Sequence, residues 1–131
     1  MQISSFLSIL VAIILVQTSL LTKSQASEKT VVNNSFAAKQ LLGKHKVNLQ
    51  WIGWDKWEEF GDLSVFDREG TLFIKGGQAK GDDYLEIDGE VLNIGAREFI
   101  FQGSIVTRVS HKNEGKSCER YGKMLFKITE K

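Results

Sequence analysis

Three residues of this chain could serve as soft metal ligands or as a nucleophile with its base: His45, His111 and Cys118. Their spacing matches no zinc pattern, which needs ligands in closely spaced pairs. His111 and Cys118 could meet across a hairpin as a thiol–imidazole pair. A structural thiol and two surface histidines are the plainer expectation, because nucleophile, base and oxyanion donors do not occur together anywhere in the chain. No catalytic residue is therefore assigned. Asp82, Asp83, Glu86, Asp88 and Glu90 could attract a hard cation. On a strand, however, alternate carboxylates stand ~7 Å apart along one face, whereas a calcium loop folds its oxygens around a tight turn. They read as a solvated sheet face, and neither metal nor cofactor is expected.

The candidate binding residues are aromatic. Trp51, Trp54, Trp57 and Phe60 recur at every third position, and they include all three tryptophans of the chain. A strand repeats every two residues, so these rings cannot share one strand face and some must occupy a turn. They form either a hydrophobic lid over one end of a sheet or a surface for a flat ligand, a sugar ring or a protein partner. Arg120 joins them as a candidate, because alternation places it among inward residues, where an unpaired charge is costly. It must reach water at a rim, pair with an acid such as Glu98 or Glu119, or receive an anionic head group.

The elements that would position these residues are strands. Val47, Leu49 and Trp51 alternate with polar residues from Lys46 onward, and similar runs occur around Leu63 and Val65, Leu72 and Ile74, Leu85 to Val91, Phe99 to Val109, and Cys118 to Ile128. Turn-forming residues separate them at Asp67–Gly70, Gly76–Gly81, Asn93–Ala96 and His111–Lys116. Every connection after Trp51 is too short for a crossover helix, so about six strands must run as an antiparallel up-and-down meander. Curling that meander into a barrel or half barrel would protect its edges, with bends at Gly89, Gly103 and Gly122. A short helix over Phe36–Leu42, capped by Asn34 or Ser35 and stopped at Gly43, precedes the strands. The expected fold class is all-β.

The organisation upstream is simple. Phe6–Leu21 carries no charge and is followed by Ser24, Gln25 and Ala26, the pattern of a signal peptide over residues 1–26 with small residues at the cut. A polar leader without periodicity spans 27–33, and one β-barrel-like domain spans 34–131. Cleavage removes Lys23 and leaves 16 basic against 16 acidic residues, with no basic block. Counterion release would have nothing to act through, so nucleic acid is not an expected partner. No stable membrane span is expected after cleavage, because the apolar run is shorter than the ~20 residues a crossing needs. Export, into a periplasm or medium, implies an oxidising compartment. The single cysteine, Cys118, cannot close an internal disulfide. It pairs with another chain, stays a thiol, or bonds a cysteine outside these 131 residues.

The segment Leu41–Leu49, a short helix passing through Gly43 into the first strand of a meander, resembles the start of lipocalin-like (calycin) barrels. Those usually carry Gly-x-Trp there, and His45 stands in the Trp position. Asp82-Asp83-Tyr84 is similar to part of their Thr-Asp-Tyr turn, and Arg120 to the basic residue that packs over the barrel end. The resemblance implies a small apolar ligand. Two functional expectations follow: an exported barrel without catalytic activity that binds a small, mostly apolar molecule, or an exported protein-interaction or envelope module with a packed core and an exposed aromatic patch.

Overall fold

In the computed structural model, which describes residues 28–129, seven strands form one sheet. In chain order the elements are β1 (Val31–Val32), α1 (Ser35–Leu41), β2 (Gly43–Val47), the one-turn helix α2 (Gln50–Gly53), β3 (Gly61–Arg68), β4 (Thr71–Lys80), β5 (Asp83–Ile94), β6 (Glu98–Arg108) and β7 (Cys118–Lys127). From β2 to β7 each strand pairs antiparallel with the next, so the up-and-down meander expected of an all-β chain is present. The sheet is not closed. Among the described residues β2 and β7 form its two edges, which makes the curled sheet a half barrel. The expected signal peptide over residues 1–26 lies outside the described residues.

The inner face carries the alternate apolar residues. Val65, Leu72, Ile74, Val91, Ile94 and Phe101 are buried against Ala37 and Ala38 of α1, and Met124 and Phe126 pack on from β7. The helix starts where the Asn34 side chain accepts the Ala37 N–H at 2.8 Å. Its inward residues are two alanines, which let its backbone lie close to the sheet. A second cluster fills the other end, where Ile52 of α2 sits between Leu85 and Val109. Full burial of an aliphatic or phenyl side chain contributes about 1.5–3 kcal/mol, so these two plugs stabilise the fold without a disulfide.

Glycine sets the curvature. Gly89, Gly103 and Gly122 lie side by side on β5, β6 and β7. A Cβ on Gly103 would strike the Asp88 carbonyl and the Gly89 Cα, and one on Gly89 would strike the Gln102 carbonyl and the Phe101 ring. The sheet coils tightly here because no side chain separates the strands, and Phe101 lies over the gap.

Three expectations are corrected. Of the stretch 27–33, expected as a leader, the described residues are fastened to the sheet, as strand at Val31–Val32 and by hydrogen bonds at Glu28 and Thr30. Val31 and Val32 pair in parallel with Asn93 and Ile94, the part of β5 that extends past the start of β4. Thr30 Oγ1 donates to the Val91 carbonyl at 2.6 Å and accepts the Leu72 N–H at 2.9 Å, bridging β4 and β5, while Thr71 Oγ1 donates to the Glu28 carbonyl. Gly76–Gly81 is not a loop: β4 runs to Lys80, and Gly76 and Gly77 stand where Cβ atoms would collide with the backbone of β3 and β5. The strand expected from Lys46 through Trp51 instead begins at Gly43 and ends at Val47, and Trp51 lies in α2.

Candidate functional site

The aromatic residues stand at one end of the half barrel, on the segment that joins β2 to β3. That segment cannot continue as a strand because Gln78, buried on β4, takes over its polar groups. The Gln78 side-chain oxygen accepts the Leu49 N–H at 2.7 Å, and its nitrogen donates to Asn48 Oδ1 at 3.0 Å and to the Glu59 carbonyl at 2.8 Å. Asn48 Nδ2 in turn donates to the Trp54 carbonyl at 2.8 Å. Gly53 fits under this network because a Cβ there would meet Asn48 Oδ1 and Gln78 Nε2. Ile52 points down into the core, and the chain reverses with Trp51, Trp54 and Trp57 outside it.

All three tryptophans are exposed, by 45%, 51% and 63% respectively, and Phe60 is half-buried. Trp57 and Phe60 touch, with ring centres 5.2 Å apart. Trp54 lies parallel to His111 at 6.4 Å, and Lys112 Nζ sits 4.7 Å from the Trp51 ring centre. The loop between β6 and β7 therefore flanks the aromatic segment. Asp83 holds that loop: its carboxylate accepts the Ser110 N–H at 2.9 Å and the Ser110 hydroxyl at 3.3 Å, and Arg108 lies 3.6 Å away. Trp54 has φ 50° and ψ −128°, a backbone conformation that favours glycine. A bulky residue there is strained by about 1–3 kcal/mol.

Electrostatics at this end are local. Lys80 Nζ contacts Glu59 Oε2 at 2.7 Å, and this hydrogen bond holds the Glu59 carboxyl below its ordinary value. Lys46 does the same for Asp62 at 2.7 Å, at the junction of β2 and β3. Both pairs are surface features that fasten the ends of the aromatic segment.

Of the candidate residues, Trp51, Trp54, Trp57 and Phe60 share one surface and Arg120 does not join them. Arg120 stands exposed on the edge strand β7, opposite Ile105, and among the described residues its side chain forms no ion pair. Being on the inner side of an open edge, it reaches water. His45 donates to the Leu41 carbonyl at 2.6 Å, and Cys118 is exposed at the start of β7. No cluster of three metal-ligating side chains occurs among the described residues. Sequence reasoning missed Gln78 and Asp83. Gln78 occupies an inward position in the series Leu72, Ile74, Gly76, Gln78, and a polar residue in such a series signals a buried network. A concavity of about 360 Å3 lies on the outer face, with Phe66, Phe73 and Tyr121 among its walls. Among the described residues no helix is long and apolar enough to cross a membrane.

The profile of the PM1083 family matches residues 29–131. An uncharacterized protein PM1083 of Pasteurella multocida (strain Pm70) is 40% identical over 92 residues, which cover 70% of this chain and 58% of that protein. No solved structure matches.

Proposed function

This chain belongs to the PM1083 family, and we propose that it is an exported, non-catalytic module that grips a protein or envelope partner with the aromatic end of its half barrel. The observation that carries the reading is Trp54. A glycine would suit its backbone better, yet the position holds the largest side chain available and presents half of it to solvent. Strain of this kind persists where surrounding structure imposes it, and here Gln78, Asn48 and Gly53 impose it. Exposed tryptophan on a rigid support is the composition of an interface centre, because the indole offers a large contact area with little rotamer entropy to lose. Export is read from the uncharged run Phe6–Leu21.

The lipocalin-like alternative, a small apolar molecule held inside the sheet, draws on the up-and-down strand order and the passage from helix through Gly43 into β2. The inner space at the two ends is taken by α1 and Ile52, which favours the partner reading. The test places a photo-crosslinking amino acid at position 54 or 57 in the full chain, expressed in its own host, with position 86 on the outer face of β5 as the control. Specific adducts at 54 and 57 and none at 86 are expected. Equal labelling at all three positions, or none at 54 and 57, refutes the proposal.

A further inference from the structure

Strand β7 is a ten-residue edge, and among the described residues nothing pairs with its outward side. Exposed edges of this length recruit other strands. We infer that β7 pairs antiparallel with β7 of a second copy of this chain, about a two-fold axis through Lys123, to give a symmetric dimer with one continuous sheet.

The register follows from the side chains. On the outer face β7 presents Glu119, Tyr121, Lys123, Leu125 and Lys127, paired on their other side with Val106, Ser104, Gln102, Ile100 and Glu98. Tyr121 and Leu125 are 77% and 55% exposed and stand on the same face of this edge strand. With Lys123 on the axis, Glu119 of each copy faces Lys127 of the other, and Tyr121 of each faces Leu125 of the other. Both kinds of pair stabilise an antiparallel ladder. On the inner face the same register sets Arg120 against Phe126 and Gly122 against Met124.

Neighbouring registers lose these matches. Sliding by two residues one way puts Glu119 opposite Leu125 and Tyr121 opposite Lys123, and the other way puts Tyr121 opposite Lys127. A slide of four opposes Glu119 to Lys123 but leaves Leu125 facing Ser117. The like-charged Lys123 pair on the axis weakens the chosen register and keeps it reversible. A two-fold contact of this kind is closed, so it ends at two copies. The two Cys118 residues stand at opposite ends of the interface, so the association does not depend on a disulfide.

The test uses the full chain carrying Cys118→Ser, in sedimentation and cysteine crosslinking. Wild-type and Cys118→Ser proteins are expected to dimerise alike. Glu119→Lys and Lys127→Glu should each weaken the dimer several-fold, and the double variant should recover it, with far-UV circular dichroism confirming the fold of each. Lys123→Thr should tighten it about threefold. Under mild oxidation Lys123→Cys should form a disulfide dimer, because directly opposed Cα atoms lie about 4.5–5.5 Å apart, within disulfide reach. Tyr121→Cys should not, since the two copies of that residue are separated by about 13 Å. A monomer at all concentrations, crosslinking at 121 in preference to 123, or a double charge variant no tighter than the singles would overturn the inference.

Discussion

Replacing Trp54 with glycine should yield a more stable protein than replacing it with alanine. At nearly every ordinary position the order is reversed, because glycine gains more freedom on unfolding, by roughly 0.5–1 kcal/mol. At φ 50° and ψ −128° any residue with a Cβ is strained, at about 1–3 kcal/mol, and alanine retains that strain while glycine releases it. Both variants lose the same contacts, the half-exposed indole and its parallel approach to His111, so those terms cancel in the difference. The remainder favours glycine by up to about 2.5 kcal/mol. Urea denaturation followed by far-UV circular dichroism, with Trp51 and Trp57 fluorescence as a second probe, would measure it. An alanine variant as stable as the glycine variant or more so would show that Trp54 is not strained, and the main support for the partner-binding reading would go with it. The same pair of variants separates stability from binding: both should lose crosslinking at position 57, although one gains stability relative to the other.

Gln78→Leu removes three hydrogen bonds and leaves the Leu49 N–H without its acceptor, which should cost about 2–4 kcal/mol; red-shifted tryptophan emission at a denaturant concentration where the sheet's circular dichroism is intact would show that the aromatic segment releases first. Thr30→Val deprives the Leu72 N–H and the Val91 carbonyl of their shared hydroxyl, and should cost about 1–3 kcal/mol with faster hydrogen exchange at Leu72. Gly103→Ala forces a Cβ against the Asp88 carbonyl and the Phe101 ring; a loss of about 3 kcal/mol, measured by thermal unfolding, is expected. Folding lowers the pKa of Glu59, through the hydrogen bond from Lys80, and of Asp62, through that from Lys46. The folded state then binds fewer protons than the unfolded chain, so their stabilisation is complete above the ordinary carboxylate range and is lost as pH falls from there through the lowered values. Because Asp62 is exposed and Glu59 lies only half-buried at the surface, the effect is small and screened by salt, and Lys46→Met with Lys80→Met should flatten the acid limb of the stability curve.

Much of this fold is written in the two-residue rhythm of the chain, and the exceptions have physical reasons. Leu72 and Ile74, Leu85 and Val91, and Phe99 and Phe101 announce β4, β5 and β6 because each strand has one wet face and one packed face. Gly76 and Gly77 hide the second half of β4, since glycines that clear a crossing backbone look in sequence like glycines that make a turn. Trp51 continues the rhythm of Val47 and Leu49 by coincidence, and the Gln78 amide, 29 positions from Leu49, decides that the backbone turns instead. Val31 and Val32 are too few to show a period, and their strand exists only because β5 outruns β4. For the candidate site, the sequence singles out the four aromatic residues through their density, whereas the supports Gln78 and Asp83 act through contacts between distant segments.

The residues from Glu28 to Asn33 also bear on how the molecule assembles. Successive strands from β3 to β6 can zip as hairpins, each closing a loop of a few residues, and such local contacts form early. The longest side-chain hydrogen bonds among the described residues originate in 28–33, with Thr30 reaching Val91 across 61 positions and Thr71 reaching Glu28 across 43. Loop closure of that length is entropically disfavoured until both landing strands exist. Segment 28–33 is thus expected to fasten after β4 and β5 have paired, as a latch on strands already formed.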